Sequence, residues 1–139
     1  MEEPSKPIAA ADIARAMRDM DIAMFATRVD GALASRPMSN HRDVDFDGTT
    51  RFVTRDSSNV AQQVEADPAV VLDYSGEGQW LSLQGTTTLV RDRERFAEHW
   101  VPDLDRWFEQ GIDTPDLVMI EVTANRVTAW GRIDGAVEF

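Results

Sequence analysis

The chemistry most readable in this 139-residue chain lies in three arginines and a run of small polar residues. Arg36, Arg51 and Arg55 fall in one short stretch of a chain whose formal charge is −11. The last of them leads into Asp56-Ser57-Ser58-Asn59, a cluster of helix N-cap residues before the helical run Val60–Ala66. A strand that feeds a helix N-terminus leaves a concave spot lined by free backbone N–H groups, favourable for an anion such as phosphate. The three arginines would add basic charge around it. The implied ligand is a phosphorylated small molecule. Helix capping by Ser57, with solvated arginines, explains the same residues without a ligand, and local chemistry leaves both readings open.

These residues need elements to hold them. The stretch from Ala32 to His41 is strand-like at its start, with Arg36 and Met38 on one face and Ser35 and Pro37 on the other. Pro37 cannot donate to a ladder, so this strand should have a free edge or a bulge there. Asp47-Gly48 turns the chain into a second strand, Arg51–Thr54, which runs into the cap cluster. Upstream, residues 1–7 read as a disordered lead-in ending in Ser5-Lys6-Pro7. Ile13, Ala16, Met17 and Met20 then recur at helical spacing. Ile22–Arg28 reads as a short apolar strand, and Val29-Asp30-Gly31 as its hairpin turn.

Downstream, Asp67-Pro68 stops the helix and Ala69–Tyr74 is a valine-rich strand. Ser75-Gly76-Glu77-Gly78 turns into a long strand, Gln79–Arg91, where Gly85 suggests a bulge or the close approach of another backbone or ligand. Asp92–Trp100 and Asp103–Gln110 read as two short helices broken by Pro102; Leu104, Trp107 and Phe108 share a face, and Gly111 is a C-cap. Leu117–Val122 and Arg126–Trp130 form a last strand or strand pair. The expectation is one domain over residues 1–139, mainly β (α+β), with about six strands in an antiparallel barrel or strongly curled sheet flanked by helices.

Composition narrows the function. The acidity, with a pI near 4.5, argues against a nucleic-acid binder and against an anionic membrane surface. The absence of cysteine removes disulfides, thiolate metal sites and cysteine nucleophiles. No apolar run is long enough to span a bilayer, and the start Met1-Glu2-Glu3-Pro4 lacks the features of a secretion signal, so a cytoplasmic protein is expected. His41 and His99 stand far apart. Asp43/Asp45/Asp47 and Asp103/Asp105 could imitate a calcium loop, but the required glycine and closing glutamate are missing, so no metal site is expected. Neither a nucleophile elbow nor a glycine-rich phosphate loop is present.

Taken in order, these pieces resemble a known family. The first helix, Met24-Phe25-Ala26-Thr27-Arg28, Asp30-Gly31, Ser35-Arg36-Pro37-Met38, Phe52-Val53-Thr54-Arg55, Ser57–Val64 and Asp67-Pro68 are similar to the pyridoxamine 5′-phosphate oxidase-like FMN-binding split barrels, most of all the bacterial general stress proteins. Leu81-Ser82-Leu83-Gln84-Gly85, Trp100-Val101-Pro102-Asp103-Leu104, Trp107-Phe108 and Asp116-Leu117 through Trp130 agree, so the resemblance covers roughly residues 10–131. It implies a six-stranded antiparallel split β-barrel with flanking helices, one FMN-binding domain and a homodimer with shared sites.

The resemblance implies flavin contacts at Ser35, Arg36, Pro37 and Met38, with Arg36 on the phosphate, and at Val53 and Thr54 along the ring and ribityl chain. Ser57 matches the serine that opens the phosphate-binding helix. Asn59 stands where the family has a phosphate-binding lysine, a lost charge that Arg55 or Arg51 could replace. Gln79 and Trp80 would complete the partner's site. The implied function is a flavin-dependent oxidoreductase of unknown small-molecule substrate, with no residue required as acid or base because the flavin carries the electrons. The alternative is a non-catalytic flavin-binding stress-response protein.

Overall fold

The computed structural model describes residues 2–40 and 46–139, so His41, Asp43 and Asp45, weighed above as metal ligands, lie outside the described residues. The chain runs α1 (Ala10–Met17), β1 (Ile22–Val29), β2 (Ala32–Ser39), β3 (Thr49–Arg55), α2 (Asn59–Ala66), β4 (Ala69–Gly76), β5 (Gln79–Val90), α3 (Arg93–His99), α4 (Pro102–Asp105), a 3-10 turn (Gly111–Asp113), β6 (Leu117–Gly131) and β7 (Gly135–Glu138). None of the described helices is long and apolar enough to cross a membrane.

All the strands belong to one antiparallel sheet, in the order β2-β1-β4-β5-β6-β3, with β7 beside β6. Local sequence dictates its hairpins. Asp30 and Gly31 both take positive φ, at 50° and 80°, which sets the tight turn that pairs Val29 with Ala32. The first half of β6 pairs β3 while its second half pairs β7, and β5 lies along the opposite edge of both halves. The expected last strand or strand pair is therefore one strand of 15 residues. Gly131, at φ 114°, ends it and lets the chain fold back as β7, which the sequence reading did not count. The backbone before α1 runs beside β7, where Ala136 N donates to Lys6 O (2.8 Å) and Ile8 N to Ala136 O (3.2 Å).

The expected six-stranded split barrel is corrected on two points. Among the described residues there are seven strands, and their sheet does not close. Its terminal strands, β2 and β3, pair only with β1 and β6 among the described residues. Pro37 removes a donor from β2. Met38, Val53 and Val60 stand between the two ends, together with the bulky Trp107 and Phe108. The sheet still curls strongly. Phe25 on β1 and Phe52 on β3, both fully buried, meet edge to face with centroids 5.2 Å apart. Around them pack Ile13 and Met17 of α1, Val60 and Val64 of α2, and Leu72, Leu81, Leu83, Ile120 and Val122 of the sheet. A smaller cluster of Val90, Phe96, Leu117 and Met119 seats α3 on the sheet.

Gly85 is where the core tolerates least. The register between β5 and β6 shifts between Gln84 and Gly85, as the mid-strand glycine suggests. A Cβ there would lie 2.8 Å from Val122 Cγ1 and 2.9 Å from the carbonyl oxygen of Thr123, and a backbone atom cannot swing aside. Gly85→Ala should therefore lower stability by about 1–3 kcal/mol, the usual cost of overpacking. Urea unfolding should show a lower midpoint with an unchanged slope; an unchanged midpoint would mean that the bulge yields freely.

Candidate functional site

The gap between the two sheet ends is a cavity of about 460 Å³. Its walls come from β2 (Arg36, Pro37, Met38, Ser39) and β3 (Val53, Thr54), with Ile22 of β1, Val60 of α2 and the pair Trp107 and Phe108 after α4. Strand alternation puts Arg36 and Met38 opposite the buried Phe25 and Ala23, on the inner face, and turns Pro37 outward. The cavity wraps the unpaired edge of β2, which is why residues of both faces line it. That edge also brings backbone polar groups that no neighbouring strand satisfies.

Arg36 is the charge of this cleft. One of its Nη atoms donates to Phe25 O and to Thr27 Oγ1, both at 3.0 Å, and the other donates to Gln63 Oε1 at 2.6 Å. Thr27 Oγ1 also donates to Gln63 Oε1, at 2.7 Å. All these acceptors are neutral, and Arg36 has no carboxylate partner among the described residues. Burial pulls its pKa below the ordinary arginine value, yet a guanidinium stays charged at any working pH. A cation held by neutral dipoles in a partly buried cleft is suited to receive an anion.

The start of α2 differs in detail from the expectation. Ser58, not Ser57, caps the helix, accepting from Ala61 N at 3.2 Å. Ser57 is exposed and its hydroxyl donates to Asp116 Oδ2. Asp56 accepts two hydrogen bonds from Arg91, at 2.7 and 2.9 Å, which hold its carboxyl below the usual range. Arg55 donates to Pro115 O at 2.8 Å. Asn59 is the first helical residue and exposed. It lies four residues before Gln63, hence on the same helix face, one turn nearer the N-terminus than the group that holds Arg36. Arg51 is not with them: it pairs with the buried Glu121 at 2.9 Å, which Arg95 holds from the other side.

Of the eleven expected site residues, Arg36, Pro37, Met38, Val53 and Thr54 therefore meet around one cleft. Ser35, Arg55, Ser57 and Asn59 flank it in sequence without lining it. Gln79 and Trp80 are elsewhere. Gln79 is buried at the start of β5, donating to Trp130 O and Ile133 O and accepting from Ile133 N. Trp80 is about half exposed, opposite Trp130 on β6. Sequence reasoning treated Trp107 and Phe108 as a packing face. Trp107 is instead 67% exposed at the lip of the cleft, an exposure no periodicity reports. Among the described residues no group of three acidic or histidine side chains could hold a metal ion.

Residues 9–139 match the family model described as "Pyridoxamine 5'-phosphate oxidase like". Among solved structures, the chain is similar to a putative general stress protein 26 from Jannaschia sp. CCS1, at 28% identity and TM-score 0.68 over 91% of this chain and 82% of that one. It is similar in fold to the general stress protein 26 of Bacillus anthracis, at 14% identity and TM-score 0.77 over 94% and 98%. The general stress FMN/FAD binding protein of Xanthomonas citri shares the fold at 19% identity and TM-score 0.73, over 92% of each chain. No curated protein matches the chain.

The reassigned cap can be checked directly. Ser58→Ala should cost about 1 kcal/mol of stability, the usual loss for an N-cap serine. Ser57→Ala, which removes an exposed contact, should cost less than half as much. Thermal melts of the two variants decide the order, and a larger loss for Ser57→Ala would return the cap to it.

Proposed function

The chain belongs to the pyridoxamine 5′-phosphate oxidase-like family, and on that premise we propose that it is an FMN-binding protein of the general stress kind, holding the flavin in the cleft between β2 and β3. The observation that carries the reading is Arg36, a partly buried cation without a carboxylate partner on the inner wall of that cleft. The residues present suit the cofactor. Arg36 would take the phosphate, with the α2 N-terminus and Asn59 beside it. Met38, Val53, Trp107 and Phe108 offer apolar surface to a flat ring. The unpaired backbone edge of β2 offers hydrogen bonds to the ring's polar rim. The volume falls within the ~300–1,000 Å³ of small-molecule sites.

When bound, the flavin supplies electron transfer; the chain's part is to hold its phosphate, bury one side of the ring and exclude water around it. Flavin binding without a defined turnover is the reading supported best, since among the described residues lining the cleft Arg36 is joined by no second basic group for a substrate phosphate. An oxidoreductase acting on an unidentified small molecule is the second reading, supported by the family alone. A homodimer belongs to the same proposal: Ile22, Met24 and Trp80 are large apolar side chains that remain 43–49% exposed, and Ile22 also lines the cleft, so a second copy would help to close it. The proposal includes a cytoplasmic location and excludes nucleic acid and membrane as partners, consistent with the charge of −11.

Absorbance spectra of the purified protein, before and after adding FMN, test the reading first, and a protein that never takes up flavin would refute it. Arg36→Ala should weaken FMN by about 1.5–3 kcal/mol, the value of a hydrogen bond to a charged group. Riboflavin, which lacks the phosphate, should lose little. Equal losses for both ligands would assign the arginine to the fold. Asn59→Lys should tighten FMN about three- to tenfold, as one added charge at a partly exposed site gives on the order of 1 kcal/mol. The gain should shrink as salt rises and leave riboflavin unaffected. Flavin reduction by NADH or NADPH, followed by reoxidation with oxygen, would favour the oxidoreductase reading.

A further inference from the structure

Gln63, which anchors Arg36 from α2, has a second end to its side chain. Its Oε1 accepts from Arg36 Nη2 at 2.6 Å and from Thr27 Oγ1 at 2.7 Å. Thr27 Oγ1 in turn accepts from Arg36 Nη1 at 3.0 Å, because a guanidinium only donates, so the threonine's one proton goes to Gln63. Both neighbours of the amide are therefore donors. That decides which end faces them: with the ends exchanged, an amide –NH₂ would stand 2.6 Å from a guanidinium N–H.

The nitrogen end is left over. Gln63 Nε2 meets no acceptor among the described residues. Of the side-chain polar atoms described, only Asn40 Oδ1 is both buried and without a partner, so the Gln63 nitrogen reaches solvent. Amide geometry keeps it within about 5 Å of Arg36 Nη2. Arg36 spends both N–H groups of Nη1 on Phe25 O and Thr27 Oγ1, and one of Nη2 on Gln63. Its Nε–H and the second Nη2–H remain. Unspent donors of the two side chains thus lie close enough for one oxyanion to accept from both. Gln63 also follows Val60, a wall of the cleft, by one turn of α2.

A glutamate of the same shape would hold Arg36 and Thr27 more strongly, through charge-assisted bonds. It would also neutralise the guanidinium and present an acceptor where the amide presents a donor. We propose that Gln63 selects for phosphate: its oxygen positions Arg36 without neutralising it, and its nitrogen donates to the phosphate that Arg36 binds. The inference rests on the reading of the cleft as a flavin site and adds to it a second residue that separates FMN from riboflavin.

Gln63→Glu and Gln63→Met distinguish this role from plain support of Arg36. As support alone, glutamate should serve FMN best and methionine worst. As a phosphate selector the order is reversed. Gln63→Met should weaken FMN about three- to tenfold, the worth of one neutral donor, and Gln63→Glu about thirtyfold, since it also neutralises Arg36. Riboflavin should be unaffected by either. Fluorescence titration with FMN and riboflavin reads these affinities. Thermal melts with inorganic phosphate, at fixed ionic strength, read the anion site without a flavin: phosphate should raise the melting temperature of the unaltered protein and leave that of Gln63→Glu unmoved. Should the unaltered protein bind no flavin, the flavin reading fails and the phosphate melts decide the role of Gln63. Should Gln63→Glu fail to fold, the FMN-to-riboflavin ratio of Gln63→Met decides. FMN binding that survives Gln63→Glu, equal losses of FMN and riboflavin, a greater FMN loss for Gln63→Met than for Gln63→Glu, or a phosphate shift absent from the unaltered protein or equal in both would overturn the proposal.

Discussion

The meeting of Phe25 and Phe52 is the contact on which the rest of the structure depends. It joins β1, the second strand of the sheet order, to β3, the last, and so fixes how far the sheet curls. Burying each ring contributes about 1.5–3 kcal/mol, and their edge-to-face geometry adds about 0.5–1.5. One strand further out, the curl stops short of closure. A fully paired barrel would satisfy the free edge of β2 and leave no room beside it. Because β2 and β3 stay apart, a row of backbone donors and acceptors is left facing a cavity with an apolar far wall. Such groups must find partners outside the sheet. The cleft is thus a consequence of incomplete closure, and its position is set by the strand order.

The charge of the cleft is set by one side chain. Arg51, Arg91 and Arg95 each meet a carboxylate. Arg36, on the inner face of the terminal strand, meets two neutral oxygens from its own end of the sheet and one from Gln63 of α2. Those dipoles hold the guanidinium in place without neutralising it. Partial burial lowers its pKa, and no carboxylate among the described residues offsets that loss of water. An anion arriving at such a group recovers Coulomb energy that an already paired arginine would not yield.

The parts of this arrangement that depend on local pattern were legible in the sequence. Strand alternation separated Arg36 and Met38 from Pro37, and Pro37 itself announced an unpaired edge. Gly85 marked the bulge, and Asp30-Gly31 the hairpin. What could not be read depends on distance in space. Whether β2 and β3 pair is decided by side chains contributed from α2 and from the segment after α4, far along the chain. Arg51 is close to Arg36 in sequence, but Glu121, seventy residues away, draws it to another face. Ser57 and Ser58 are equally good caps by type, and the choice follows from Asp116, which takes the Ser57 hydroxyl. Trp107 and Phe108 carry the same pattern whether they face a core or a cleft. The C-terminal β7 is only four residues long, too short for any periodicity to show.

The remaining tension is between the local site and the whole molecule. A net charge of −11 repels an anionic ligand at long range. That field is cut over about 8–10 Å at physiological salt, since most of the carboxylates are solvent-exposed. Arg36 acts at contact distance in a partly dehydrated cleft, where a pair of unit charges at an effective dielectric near 20 interacts by about 4 kcal/mol before solvation losses. The near term therefore outweighs the far one once salt is present, and at very low salt the two oppose each other. The proposed anion site asks only for an arginine in a cleft whose neighbours are dipoles and not carboxylates. The neutral ring of acceptors around Arg36 meets that condition.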